Sequence, residues 1–135
     1  MKNTILNLAD EVSSIMTTEL TTVQDNTPYE ALKNLFSGRG IHHVLVENKA
    51  GELQGIISTE DMSRSRHFVL FEDKIEAQHI MTAKPTEVRP DTPIRKVLEL
   101  FLDNRFRALP VVNEDNVLIG VVTPFDIMHE LLEGA

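Results

Sequence analysis

Two stretches of the chain carry the same short arrangement of chemically useful residues. One is Gly55-Ile56-Ile57-Ser58-Thr59-Glu60-Asp61 and the other is Gly120-Val121-Val122-Thr123-Pro124-Phe125-Asp126. Each runs glycine, two aliphatic residues, a hydroxyl side chain, two variable residues and an aspartate. The aliphatic pair and Pro124 indicate a strand running into a helix, with the hydroxyl at the N-cap and the aspartate three residues on. That spacing has two chemical readings. As a capping box, hydroxyl and carboxylate satisfy N–H groups of the first turn, although such boxes usually carry Glu or Gln. As a binding site, the open N–H groups favour an anion, the hydroxyl donates to a phosphate oxygen, and the carboxylate accepts from two sugar hydroxyls. The pattern alone leaves both open.

The elements that position these junctions repeat as well. At a constant offset of 65 residues, Ile15-Met16-Thr17 returns as Ile80-Met81-Thr82, Thr27-Pro28 as Thr92-Pro93, and Leu35-Phe36 as Leu100-Phe101. Positions 15–62 align without a gap and hold 14 identities in 48, where composition alone supplies roughly three. Each copy predicts the order β-α-β-β-α. A short strand over Thr21–Gln24 or Thr86–Arg89 leads through a turn into a helix. Thr27 and Thr92 fit N-caps, with Pro28 and Pro93 at the first helical position. Ile94, Val97, Leu98 and Phe101 form one apolar stripe on the second of these helices, and Leu32, Leu35 and Phe36 do so on the first. Strands over Val44–Glu47 and Leu53–Ser58, and over Leu109–Asn113 and Val117–Thr123, flank turns opened by Asn48 and Asn113. A closing helix starts at Thr59 and at Pro124. Ile5, Leu8, Ala9, Val12 and Ile15 predict a further helix at the N-terminus. The stretch Ser63–Gln78 between the copies contains Phe68-Val69-Leu70-Phe71, which suits a packed segment better than a free tether. The expected domains are therefore 1–70, including the N-terminal helix, and 71–135.

Composition narrows the function. The 135 residues are 41% hydrophobic and 25% charged, as in an ordinary soluble globule. Thirteen Lys+Arg against 21 Asp+Glu give a net charge of −8, which argues against broad contact with a nucleic-acid backbone. No cysteine is present, so disulfides, thiolate metal sites and cysteine nucleophiles are excluded. The five histidines show no ligand spacing, and adjacent His42 and His43 point to opposite faces of a strand. No Gly-x-Ser-x-Gly elbow and no phosphate-cradling Gly-x-x-x-x-Gly-Lys loop occurs, so nothing speaks for an enzyme. Arg64, Arg66 and His67 read as solvated surface beside Glu72 and Asp73. No stretch approaches the ~20 apolar residues of a membrane helix, and residues 1–11 lack the apolar core of a signal peptide, so a cytoplasmic location is expected.

The duplication, the Ile-Met-Thr openings, the strand Leu109-Pro110-Val111-Val112 and the Gly-x-x-Ser/Thr-x-x-Asp junctions together resemble a tandem pair of CBS domains, a Bateman module. The resemblance covers about residues 10–132. It implies an α+β fold of mixed layers: two tandem β-α-β-β-α repeats packed as a pseudo-twofold disc. It also implies clefts between the repeats that take an adenosine nucleotide (AMP, ADP, ATP or S-adenosylmethionine) as a regulatory ligand, with no catalytic cofactor. Asp61 and Asp126 then correspond to the ribose-binding aspartate, and Ser58 and Thr123 to the neighbouring hydroxyl. His42, His43 and Arg107 fall where the family contacts phosphates, and Ile41 and Phe106 near the base. Met16 to Thr21 and Met81 to Thr86 would line the adenine pocket, Thr21 working with Asp126 and Thr86 with Asp61.

Arg107 is permanently charged and histidines are not, so the Asp126 cleft is expected to be the functional one and the Asp61 cleft the weaker. Met62, Ile127, Met128, Leu131 and Leu132 cover more than one face of the closing helices. The resemblance implies a homodimer through them, and the regulatory output would be a surface offered to a partner protein. A purely structural or protein-interaction module is the alternative, and an enzyme acting on nucleotides a third.

Overall fold

The computed structural model describes residues 6–38, 40–71 and 74–134, and of 67–71 only the backbone. Ile5, the side chain of His67 and the packing of Phe68–Phe71 lie outside the described residues. The chain divides into two compact units, Leu20–Pro85 and Met1–Glu19 with Thr86–Ala135.

In the unit Leu20–Pro85, strand β1 (Thr22–Val23) leads to helix α1 (Tyr29–Phe36), strands β2 (His43–Glu47) and β3 (Leu53–Ser58), helix α2 (Thr59–Phe71), the one-turn helix α3 (Ala77–Ile80) and strand β4 (Thr82–Ala83). They form a mixed sheet in the order β1-β2-β3-β4, β1 parallel to β2 and the other pairs antiparallel. Strand β3 alternates buried and half-buried residues, the period of a strand with one face on a core. Leu32, Val44, Val46, Ile57, Met62 and Ala77 form that core.

The other unit repeats the plan with helix α4 (Ile94–Asn104), strands β5 (Leu109–Val112) and β6 (Leu118–Val122) and helix α5 (Pro124–Gly134). Strands β5 and β6 pair antiparallel. Val88 adds a parallel bridge to Val111, and Thr17 an antiparallel bridge to Val121. Val12, Val88, Val97, Phe101, Leu109, Val111, Val122 and Ile127 form its core. Both hairpins turn alike. Asn48 Oδ1 accepts from the N–H groups of Ala50 and Glu52, each at 2.9 Å, and Asn113 Oδ1 from those of Asp115 and Val117 at 2.9 and 3.0 Å. Each turn then needs a left-handed residue, supplied by Gly51 (φ 83°) and Asn116 (φ 64°), two types that accept that conformation.

Three expectations change. First, Thr27 and Thr92 do not cap the helices. Their hydroxyls accept from the N–H groups of Gln24 at 3.2 Å and Arg89 at 3.0 Å, closing the preceding turns, and Pro28 and Pro93 take the N-cap position in extended conformation. Second, the N-terminal segment has, among its described residues, a single 3-10 turn, Val12–Ser14, and no α-helix. Its carbonyls are engaged elsewhere: Leu8 and Asp10 accept from Arg95 and Ile94, each at 2.9 Å, satisfying open N–H groups at the start of α4. Third, the units do not follow the boundaries 1–70 and 71–135. Residues 76–83 pack with the first copy, and residues 11–17 with the second.

Sterics at two glycines show how closely these leading segments fit. A Cβ at Gly55 would lie 2.5 Å from Met81 Sδ and 2.9 Å from the Thr82 carbonyl oxygen, whereas at Gly120 the three nearest atoms all belong to the Met16 side chain, with Sδ at 2.5 Å. A methionine end can move, but a paired strand backbone cannot. Gly55→Ala is therefore expected to destabilise by about 2–3 kcal/mol and Gly120→Ala by about 1 kcal/mol, read by urea denaturation. Equal losses would show that the backbone contact does not matter.

Candidate functional site

Each repeated junction lies inside one unit, where the last residue of a strand meets the first turn of a closing helix. Both form a reciprocal box. The Ser58 N–H donates to Asp61 Oδ2 at 2.8 Å and the Asp61 N–H to Ser58 Oγ at 3.1 Å. The Thr123 N–H donates to Asp126 Oδ2 at 2.9 Å, the Thr123 hydroxyl lies 3.2 Å from the same oxygen, and the Asp126 N–H is 3.2 Å from Thr123 Oγ1. Aspartate, though shorter than the usual glutamate, closes the box in both copies.

The second carboxylate oxygen separates the copies. Asp126 is half-buried, and its Oδ1 accepts from the Thr17 hydroxyl at 3.0 Å. Asp61 is buried, and its Oδ1 is paired with the guanidinium of Arg64, one turn along α2. Ser65 Oγ donates to the Asp61 carbonyl at 2.6 Å. Neither contact follows from the motif, although Thr17 lies in the Met16 to Thr21 stretch expected near the base. Arg64 is exposed, as expected of a solvated surface, and also pairs with Asp61; its i+3 spacing from an aspartate is the signal. Thr17 belongs to the repeated Ile-Met-Thr, but its reach to Asp126 follows from the strand bridge to Val121.

The remaining expected residues divide between the units. With Asp126 and Thr123 lie Met16, packed against Gly120, half-buried Phe106, exposed Arg107 and exposed Thr86. With Asp61 and Ser58 lie Met81, packed against Gly55, half-buried Ile41, Thr21 and His43, and exposed His42. His43 pairs with Ser58 in the β2–β3 register, and the His42 carbonyl accepts from the N–H and hydroxyl of Thr59 at 3.1 and 3.3 Å. The expected pairs Thr21–Asp126 and Thr86–Asp61 each join residues of different units. Elsewhere in the second unit, a groove carries Glu11, Asp91, Glu114 and Asp115 beside Arg89, whose guanidinium donates to the Asn113 carbonyl. Its charge disfavours a phosphate. Among the described residues no three His, Asp or Glu side chains group to hold a metal ion, and no helix is long and apolar enough to cross a membrane.

The duplicated β-α-β-β-α plan and its paired junctions define a class. The CBS domain family model matches residues 12–67 and 77–133, and the chain belongs to that family as a tandem pair. The magnesium transporter MgtE of Thermus thermophilus is 28% identical over 127 residues, covering 90% of this chain and 27% of that protein. A homoserine O-acetyltransferase of Methanohalobium evestigatum is 31% identical over 122 residues, 90% of this chain and 24% of that one. The chain thus spans about a quarter of the length of these relatives. Three solved structures share the fold. CBSX2 in complex with AMP has a TM-score of 0.81, 24% identity and coverage of 92% of this chain and 97% of that one. The cytosolic domain of the Mg2+ channel MgtE in complex with ATP has a TM-score of 0.75, 28% identity and coverage of 89% and 48%. The CBS domain pair of protein MJ0100 in complex with 5′-methylthioadenosine and S-adenosyl-L-methionine has a TM-score of 0.79, 24% identity and coverage of 93% and 98%.

A double-mutant cycle checks the contact that links the leading segment to the second junction. Thr17→Val and Asp126→Ala are expected to couple by about 0.5–1.5 kcal/mol in denaturation, the net value of a hydrogen bond. Additive losses would mean that the contact contributes nothing.

Proposed function

We propose that the chain is a regulatory module that binds an adenosine nucleotide at the Asp126 junction and signals the bound state to a partner protein. The observation that carries this reading is the Asp126 carboxylate: half-buried, beside the start of α5, and met at Oδ1 by a neutral hydroxyl that a ligand hydroxyl can displace. Asp126 would accept from the ribose, Thr123 would approach the phosphate or ribose, Arg107 would supply positive charge, and Phe106 and Met16 would lie towards the base. Relatives solved with AMP, ATP and S-adenosylmethionine support the ligand class. Ser58, Asp61, Ile41, His42 and His43 would form the weaker site. Binding would act through unequal affinity for two conformations, without turnover or a catalytic cofactor. The acetyltransferase relative extends far beyond the matched segment, so its activity is not carried over.

Helix α5 leaves Phe125, Met128, Leu131 and Leu132 between 53% and 77% exposed. An apolar row of that size on a helix fits a second copy of the chain, and the proposal includes a homodimer through it, in the cytoplasm. Light scattering is expected to give a dimer mass for the native chain and a monomer mass for Met128→Asp. A native monomer would remove this part.

A second reading has its own support, because both capping boxes are closed. On that reading the junctions are only helix starts, and the chain is a structural or protein-interaction module. Calorimetric titration of AMP, ADP, ATP and S-adenosylmethionine separates the two. The nucleotide reading expects one of them to bind and Asp126→Ala to abolish binding in a folded protein. No binding to ligand-free native chain, with Asp126→Ala and Asp61→Ala each costing about 0.5–2 kcal/mol of stability as lost caps do, would support the structural reading.

A further inference from the structure

We propose that Arg64 decides which of the two duplicated junctions takes a ligand: by holding Asp61 Oδ1, it confines the first junction to helix capping and leaves Asp126 as the working carboxylate. The inference rests on the nucleotide reading above and assigns its stoichiometry to one side chain.

The two carboxylates differ in what an incoming sugar must displace. At Asp61 the Ser58 N–H occupies Oδ2 and the Arg64 guanidinium occupies Oδ1, on a side chain only 8% exposed. At Asp126 the Thr123 N–H occupies Oδ2 in the same way, but Oδ1 meets the Thr17 hydroxyl. A hydrogen bond between a cation and a carboxylate is roughly twice as strong as a neutral one. Guanidinium also carries donors and no acceptor, so it cannot turn to receive a ribose hydroxyl, whereas a threonine hydroxyl rotates and can accept as well as donate. A ribose therefore exchanges like for like at Asp126, whereas at Asp61 it competes with a guanidinium for the same oxygen.

The duplication supplies the control. At the 65-residue offset the counterpart of Arg64 is His129, which lies on α5 with its ring edge-on to Phe125, centroids 6.5 Å apart. Arg64 itself is 71% exposed at the side chain, so its removal leaves no hole in the core. The counterpart of Thr17 is Thr82, exposed on β4.

The test is equilibrium dialysis of labelled AMP and ATP against the native chain, Arg64→Ala, Arg64→Ala with Asp61→Ala, and His129→Arg. The native chain is expected to bind one equivalent, lost in Asp126→Ala. Arg64→Ala is expected to bind two, the added one lost when Asp61→Ala is combined with it. His129→Arg is expected to weaken native binding about tenfold by installing the same ion pair beside Asp126. One equivalent in Arg64→Ala, two in the native chain, or unchanged affinity in His129→Arg would overturn the assignment to Arg64 while the nucleotide reading survives. Binding by Arg64→Ala alone, dependent on Asp61, would uphold Arg64 and overturn Asp126 as the native site. Absence of binding in both proteins would overturn both.

Discussion

The fold depends on one constraint: the leading segment of each copy completes the unit built around the other. The same hydrogen bonds recur at the 65-residue offset. The Val12 N–H reaches the Thr92 carbonyl and the Ala77 N–H the Thr27 carbonyl, both at 2.8 Å. Asp10 accepts from Ile94 at the start of α4, and Ile75 from Tyr29 at the start of α1. These bonds satisfy N–H groups that a helix start leaves open and that burial would make costly. Met16 and Met81 then fill the space kept by Gly120 and Gly55. Because Thr17 directly follows Met16, the same docking brings its hydroxyl to Asp126.

On this shared frame the copies diverge at one carboxylate oxygen, Oδ1. The backbone part of the box is the same in both, because a helix start imposes the same demand twice. The other carboxylate oxygen is under no such demand. In one copy a cation from the same helix takes it, and in the other a neutral hydroxyl from a distant segment does. Stability needs two caps, whereas recognition of a sugar needs one carboxylate edge that can exchange partners. A duplicated fold can therefore keep both caps and still offer unequal sites.

Much of this was legible in the sequence because it is local or periodic. The offset exposed the repeat, and Asn48 and Asn113 marked turns that their side chains do close. Pro124 marked the first turn of α5, where it lies. What escaped was decided by competition among partners, some in the same turn and some far along the chain. Thr27 and Thr92 looked like caps, but the N–H groups of Gln24 and Arg89 claim their hydroxyls. The apolar spacing of Leu8, Ala9, Val12 and Ile15 suggested a helix, but their segment gives its carbonyls to α4. At the site, the aspartates and hydroxyls were visible as a motif. The bond from Thr17 to Asp126 was not, since only strand pairing carries it across 109 positions.

The exchange of leading segments also orders the birth of the protein. The unit Leu20–Pro85 is contiguous, so a growing chain holds everything it needs once Pro85 has emerged. The other unit joins residues 1–19 to residues 86–135. Its first strand residues are therefore made earliest and must wait, unpaired, until β6 is synthesised. Chains lengthen at roughly 5–20 residues per second, so that wait lasts several seconds. Once Leu20–Pro85 is complete, the matching place at Gly55 is taken by Met81. Until Met81 emerges that place stands open to the earlier-made Met16, so the order of synthesis alone does not decide which segment takes it.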